Sequence, residues 1–317
     1  MKRIMAIAAL VLGCFCSVSF ASVAFAQSPP PFKVVEIGNA FWRLDDAVKA
    51  IGDGVGTILI APGTYHDCAS QHGGDITYRS VEPGRATFDG KICDGKAALV
   101  LHGRGARIDG LIFQNMRVAD GNGAGIRLET GNLTVVNSWF RNSEEGILSA
   151  DDPSSTVTID HSTFSGLGRC DRGLSCAHSV YFGNYGSVTV THSRFERGMG
   201  GHYFKSRAAR NVVADNSFDD SAGHTTNYMV DLCAGSVGRV TGNMFVQGKD
   251  KENHSALITV AAETRDHPSA GLLVEGNSAS QATGANWPTV FVADWSHEPL
   301  QIGTNRLSER IQRFETR

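Results

Sequence analysis

One motif recurs through the middle of this chain, and it constrains the fold more than any other feature. It appears as Leu133-Thr-Val-Val-Asn137-Ser-Trp-Phe140, Val157-Thr-Ile-Asp-His161-Ser-Thr-Phe164 and Val188-Thr-Val-Thr-His192-Ser-Arg-Phe195. Val212-Val-Ala-Asp-Asn216-Ser-Phe218 and Arg239-Val-Thr-Gly-Asn243-Met-Phe245 follow, with a weaker copy ending at Asn277. Each copy is a short strand, then Asn or His, then (in all but the last) Phe two or three residues on. The polar residue recurs at intervals of 24, 31, 24, 27 and 34 residues, widening where Gly-rich or Cys-bearing segments intervene. Such periods mark a repeat architecture. In a parallel solenoid, strands of successive coils lie about 4.8 Å apart and equivalent side chains stack. An Asn at a tight corner then bonds its counterparts above and below. Asn137, His161, His192 and Asn216 are expected in one such column, inward or at the corner, with the Phe residues buried beside it. Leu-spaced repeats and four-stranded propeller units are absent. The expected fold is all-β, a single-stranded right-handed parallel β-helix.

The ends fit a capped solenoid. Phe41 to Ile51 places Leu44, Ala47, Val48 and Ile51 on one helical face. An amphipathic helix there, followed by the strand Thr57 to Ala61 and a Pro-Gly turn, would cover an otherwise open sheet edge. Residues 1–26 read as a secretory signal: Lys2 and Arg3, an apolar run, then Ala24-Phe25-Ala26. Residues 27–33 read as a Pro-rich linker, 34–305 as the β-helix with its cap, and 306–317 as a polar helix or tail. Export to a periplasmic or extracellular location is expected, with lipidation at Cys14 as a minor alternative and no membrane span. In such a compartment disulfides are permitted. Cys68–Cys93 and Cys170–Cys176 are the expected bridges, with Cys233 a free buried thiol. A net charge of −3 over 317 residues gives no reason to expect a nucleic-acid partner. A monomer is expected.

Chemistry on such a fold sits on outward side chains of successive coils. By the strand period of two, Tyr181 in Val180-Tyr-Phe182 points outward, as do Lys205 in Phe204-Lys-Ser206 and Asp231 in Val230-Asp-Leu232. Tyr181 lies eleven residues before His192 and Lys205 eleven before Asn216, so the two should be neighbours on adjacent coils. Three residues before each come His178 and His202, and Arg207 follows Lys205. The candidate catalytic residues are therefore Lys205, Tyr181, Arg207, His202 and His178. Asp231, Tyr203, Arg169 and Arg172 are candidate substrate contacts, the two arginines from the inserted segment 166–177. Glu144, Glu145, Asp151 and Asp152 read as solvated turn residues. No metal cluster is expected.

The opening helix-and-strand unit and the repeats resemble the pectate-lyase-like β-helix superfamily. Lys205-Ser206, Asn211, Asn216-x-Phe218 and Asp220-Ser221-x-Gly223 resemble one coil of the chondroitinase B and alginate lyase family. That resemblance implies that Lys205 is a general base. Where that family has its catalytic Arg, this chain reads Tyr228-Met-Val-Asp-Leu232, and its calcium ligands have no clear counterpart. The implied activity is β-elimination on a uronic-acid-containing, anionic polysaccharide. Lys205 could serve as base only if its neighbours lower its pKa from about 10.4 towards 7–8. Arg207 and His202 would stabilise the enolate-like charge, and Tyr181 would act as acid or as base. No cofactor is implied; calcium stays open, with no ligand cluster identified. A uronan C5-epimerase, a glycoside hydrolase on the same fold and a non-catalytic carbohydrate-binding envelope protein are the alternatives.

Overall fold

A computed structural model describes residues 28–317. The expected signal peptide and the Cys14 alternative lie outside the described residues. Three sheets run the length of the molecule, one of twelve strands and two of ten, and each coil contributes a strand to each in turn. From Val55 onward every pairing between the named strands is parallel. The chain is a parallel β-solenoid of the right-handed type, the hand that strand twist imposes on parallel crossovers.

The core is a set of columns. Phe88, Phe113, Phe140, Phe164, Phe195, Phe218 and Phe245 stack through the axis with centroids 4.8–5.5 Å apart. All seven are essentially inaccessible to solvent. The polar column beside them is not the expected one. Val135, Ile159, Val190, Val213, Val240 and Val274 are in register. That alignment puts Asn137, His161, His192 and Asp215 at one position, and Ser138, Ser162, Ser193, Asn216, Asn243 and Asn277 at the next. The first position is an outward corner in the left-handed region, with φ between 47° and 58° for those four residues. Short polar side chains tolerate this conformation best among non-glycine residues. The second position is the buried ladder. Asn216 Nδ2 donates to Asn243 Oδ1 at 3.0 Å, Asn243 to Asn277 at 3.0 Å and Asn277 to Asn305 at 2.8 Å. Hence His161 and His192 are corner residues but neither inward nor stacked with Asn216; their column belongs one residue earlier.

The ends correct the expected boundaries. Phe32–Val34 is no linker but a strand antiparallel to Val55–Ile60, with Phe32 in the core. Helix Leu44–Ile51 buries Leu44, Ala47 and Val48 over the end of the solenoid. It starts later than Phe41 because that residue belongs to a short strand. Asp67, from the first coil, accepts the Leu44 N–H at 2.9 Å in place of a side-chain cap. The C-terminal segment is neither helix nor tail: Arg306–Leu307 and Ile311–Thr316 add a final strand to each ten-stranded sheet. Bridges join Cys68 to Cys93 and Cys170 to Cys176, while Cys233 is free and buried. These bridges suit an oxidising, extracytoplasmic setting. Among the described residues no helix is long and apolar enough to cross a membrane.

Candidate active site

Val180–Phe182, Phe204–Ser206 and Val230–Leu232 are consecutive strands of one ten-stranded sheet. Their central residues pair directly: Tyr181 with Lys205, Lys205 with Asp231, and Asp231 with Thr259. The expected adjacency of Tyr181 and Lys205 is therefore present, although the ladder used to infer it was displaced by one residue. The corner between sheets is one residue longer after Phe182 than after Ser206, and this offsets the displacement.

Lys205 is more enclosed than an exposed ladder would leave it. Its ammonium lies 2.5 Å from Glu263 Oε1 and 3.9 Å from Asp231 Oδ2, and 5.2 Å from the centre of the Tyr181 ring. Burial alone would lower its pKa, but the charge of Asp231 and the hydrogen bond to Glu263 outweigh it and hold Lys205 above its ordinary value. This is opposite in direction to what a general base requires. Arg207 Nε donates to the Tyr181 hydroxyl at 2.8 Å, and its Nη2 grips the other oxygen of Glu263. Burial pushes the guanidinium down, but the Tyr181 hydrogen bond and nearby anionic groups keep it raised and charged. The Glu263 carboxyl is lowered: desolvation is overcome by Lys205 and Arg207.

Two histidines stand beside this group. His178 and His202 stack with centroids 4.8 Å apart, and His202 stacks on Tyr228 at 5.4 Å. His178 Nδ1 accepts the backbone N–H of His202 at 3.0 Å, and His202 Nδ1 accepts that of Tyr228 at 3.1 Å. Each Nδ1 is thereby an acceptor, so the proton of each neutral ring is on Nε2. Burial drives both pKa values down, that of His178 to about 3, with the Lys205 charge adding to the effect. Both rings are therefore neutral N–H donors at pH 7. His202 Nε2 lies 3.5 Å from Asp231 Oδ2. Desolvation raises the Asp231 carboxyl to about 6 against the pull of Lys205, while Thr259 donates to it at 2.7 Å.

Several expected contacts have other roles. Asp231 is 2 % exposed, so it anchors Lys205 from below and is out of reach of a polymer. Tyr203 points into the core, where its hydroxyl donates to Asp220 at 2.6 Å. Asp220 is also fully buried against Lys251, at 3.0 Å, and Thr226. Asn211 bonds Ala208 O and Ser236 Oγ inside the corner. Thus Ser206, Asn211, Asn216, Phe218 and Asp220, which carry most of the one-coil resemblance, are the coil's internal supports, while Ser221 is exposed. Arg169 is buried within its own loop, donating to Gly121 O, Ser175 O and Asp171. Arg172 pairs with Glu144. Their loop borders a concavity of about 450 Å³ with Arg117, Met199 and Thr225, away from Tyr181. Glu144 and Glu145 are not solvated: Glu144 accepts the Val118 and Gly123 N–H groups at 2.9 and 2.8 Å, and both are buried. The carboxyl of Glu145 is raised well above its ordinary value by burial, against a hydrogen bond from the His178 backbone.

Glu263 was not foreseen. It lies on the segment after Ala256–Val260, where Glu263 N and Thr264 N both donate to Cys233 O and His267 Nε2 meets Asn184 Oδ1 at 3.1 Å. Its sequence signal was the 34-residue interval from Asn243 to Asn277, the longest in the repeat. One oxygen of Asp231, one of Glu263 and the Cys233 sulfur lie within 4.8 Å of one another. Lys205 and Arg207 already neutralise these carboxylates, so the trio makes a poor calcium site.

No protein-family model matches this sequence, and no curated protein matches it. Among solved structures it is similar to ORF18 of Geobacillus virus E2, at TM-score 0.53 and 14 % identity over 86 % of this chain. The chain spans just over half of that protein, 57 % of its length. It is similar also to PfbA, a surface adhesin of Streptococcus pneumoniae, at TM-score 0.51 and 12 % identity, covering 86 % of this chain and 89 % of that one. A PL6 alginate lyase in complex with a trisaccharide aligns at TM-score 0.37 and 14 % identity, over 81 % of this chain and 56 % of that one. At such identities the first two likenesses speak for the solenoid fold alone, and the third carries no argument.

Proposed function

We propose that this protein is a polysaccharide lyase that cleaves a uronic-acid-containing chain by β-elimination, with Tyr181 at the reacting centre. One observation carries the reading: Lys205 and Arg207 together hold a carboxylate, that of Glu263, beside the Tyr181 hydroxyl. A uronate carboxylate seated in the same clamp meets two fixed cations, and C5 of its ring lies towards Tyr181. Charge that develops on that carboxylate as the C5 proton leaves is met by donors already in place. Lys205 thus neutralises charge, and the proton transfers fall to Tyr181, whose hydroxyl oxygen accepts from Arg207 Nε. The C5–H bond breaks as its proton passes to the Tyr181 oxygen, the C4–C5 double bond forms, and the C4–O4 bond breaks as the Tyr181 hydroxyl gives its own proton to the departing O4. The Nε2–H groups of His178 and His202 offer hydrogen bonds to the carboxylate or neighbouring hydroxyls.

A second reading has its own support. The carboxyls of Asp231 and Glu263 are close, one raised and one lowered, the pattern of an acid and nucleophile in a retaining glycoside hydrolase. Burial of Asp231 beneath Lys205 weighs against it. Purified protein incubated with a panel of uronate polysaccharides separates the two. Elimination gives an ultraviolet-absorbing unsaturated sugar, and Tyr181→Phe abolishes it while oligosaccharide binding persists. New reducing ends without that absorbance, lost in Asp231→Asn, would support the hydrolase instead.

A further inference from the structure

On another edge of the solenoid from Tyr181, two imidazoles and a carboxylate converge where Asp152–Asp160 turns into Thr163–Ser165. His161 and His192 occupy equivalent left-handed corners on adjacent coils, both with φ 47°. Their rings stack with centroids 4.8 Å apart and 25° between planes. Both turn Nδ1 to one carboxylate: His161 lies 2.7 Å from Asp160 Oδ2, and His192 lies 2.8 Å from Oδ1. Other coils fill this corner with Asn137, Asp215 or Gly242, so the turn itself does not need imidazoles. Thr191 Oγ1 donates to Asp160 Oδ1 at 2.7 Å.

We propose that Asp160, His161 and His192 form a binding site for one first-row divalent cation of the kind that favours imidazole, such as Zn²⁺ or Co²⁺. Two nitrogens and one carboxylate oxygen make three ligands, and water completes a tetrahedron. Bonds of about 2.0–2.1 Å place tetrahedral ligand atoms about 3.3 Å apart, so the contact between the ligating oxygen and its own imidazole, now 2.7 or 2.8 Å, opens by about half an ångström. The side chains are free enough to do so, with the histidines 60 % and 52 % exposed. Asp160 already turns its two oxygens to the two ring nitrogens and to the Thr191 hydroxyl. The Thr191 hydroxyl steadies that carboxylate from behind. The cation ties two coils together across the intervening turn of chain, the one that carries the 166–177 loop and Tyr181.

The test uses the full chain with any affinity tag removed. Co²⁺ is titrated by its visible absorption and Zn²⁺ by calorimetry, alongside thermal unfolding with and without metal. One equivalent should bind and raise the melting temperature. His161→Asn and His192→Asn use a side chain this corner accepts at Asn137, so folding is retained. Each should weaken binding at least about tenfold and abolish the thermal shift. His224→Ala, which removes another exposed histidine–carboxylate pair (2.9 Å to Asp250), should leave both unchanged. Absence of saturable binding, or binding that survives in both His→Asn variants, overturns the site.

Discussion

The cationic side chains at Tyr181 illustrate how neighbours decide a residue's role. An ammonium between Asp231 and Glu263 stays charged, so the general-base role implied for Lys205 by sequence resemblance gives way to charge neutralisation. Glu263 occupies the place proposed for the substrate's own carboxylate. Glu263→Gln should therefore tighten binding of short uronate oligosaccharides and leave neutral sugars unaffected, as read by calorimetry. If Glu263 instead positions Lys205 productively, the variant will bind more weakly. His178 supports a pH prediction. Its folded pKa of about 3 lies below the unfolded value of about 6.5. Between those values the unfolded chain takes up a proton that the folded chain refuses. Stability from this group is complete above about pH 6.5 and is lost as pH falls. In His178→Asn, Oδ1 can accept the His202 N–H without titrating. The stability advantage of wild type over this variant should shrink by up to about 1.4 kcal/mol per pH unit between pH 6 and 4, measured by urea unfolding. Asp231, raised to about 6, has the opposite slope in both proteins and drops out of the difference.

At the scale of strands and corners, the repeat was legible where its chemistry was uniform. Phe in coil after coil fixed the core column and the strand period. The polar column was misread because Ser138, Ser162 and Ser193 occupy the positions that Asn216, Asn243 and Asn277 hold further on, whereas Asn137, His161 and His192 in the outward corner look more like asparagines of a ladder. Glu263 was hidden for another reason: it approaches Lys205 from a loop 58 residues on, and no strand periodicity predicts where a loop side chain returns. The corrected ladder makes a contrast to measure. Asn216→Ala leaves the Ser193 N–H and the Val190 carbonyl of the preceding coil without their side-chain partner, and should cost about 1–3 kcal/mol. His192→Asn, one coil away in the exposed corner that Asn137 also fills, should leave unfolding in the presence of chelator unchanged. Equal losses would restore the first alignment.

For the whole molecule the exposed ends are the liability, since a solenoid terminates in unpaired strand edges. Phe32–Val34 and the helix cover one end. At the other, Ile311–Thr316 pairs with Thr289–Asp294 and carries charge in Arg313 and Glu315. Deleting residues 306–317 should expose an apolar, unpaired edge and shift the protein from a single species to oligomers on size exclusion. A monodisperse truncated chain would show that the preceding coil is sufficient cover. Between its ends the solenoid admits length changes only at its corners. Tyr181 and Lys205 remain opposite one another although the two coils differ by one residue at one corner and, where the first carries its disulfide-closed loop, by seven at another (16 positions from Phe164 to Val180 against 9 from Phe195 to Phe204). The conformational penalty for such an extrusion grows only with the logarithm of its length, about 0.6 kcal/mol per doubling, whereas a slip within a strand turns every side chain over. Corner loops and sheet faces can therefore diverge independently in proteins built this way: a corner loop can change in length or sequence while the outward ladder on the sheet keeps its alignment through the change.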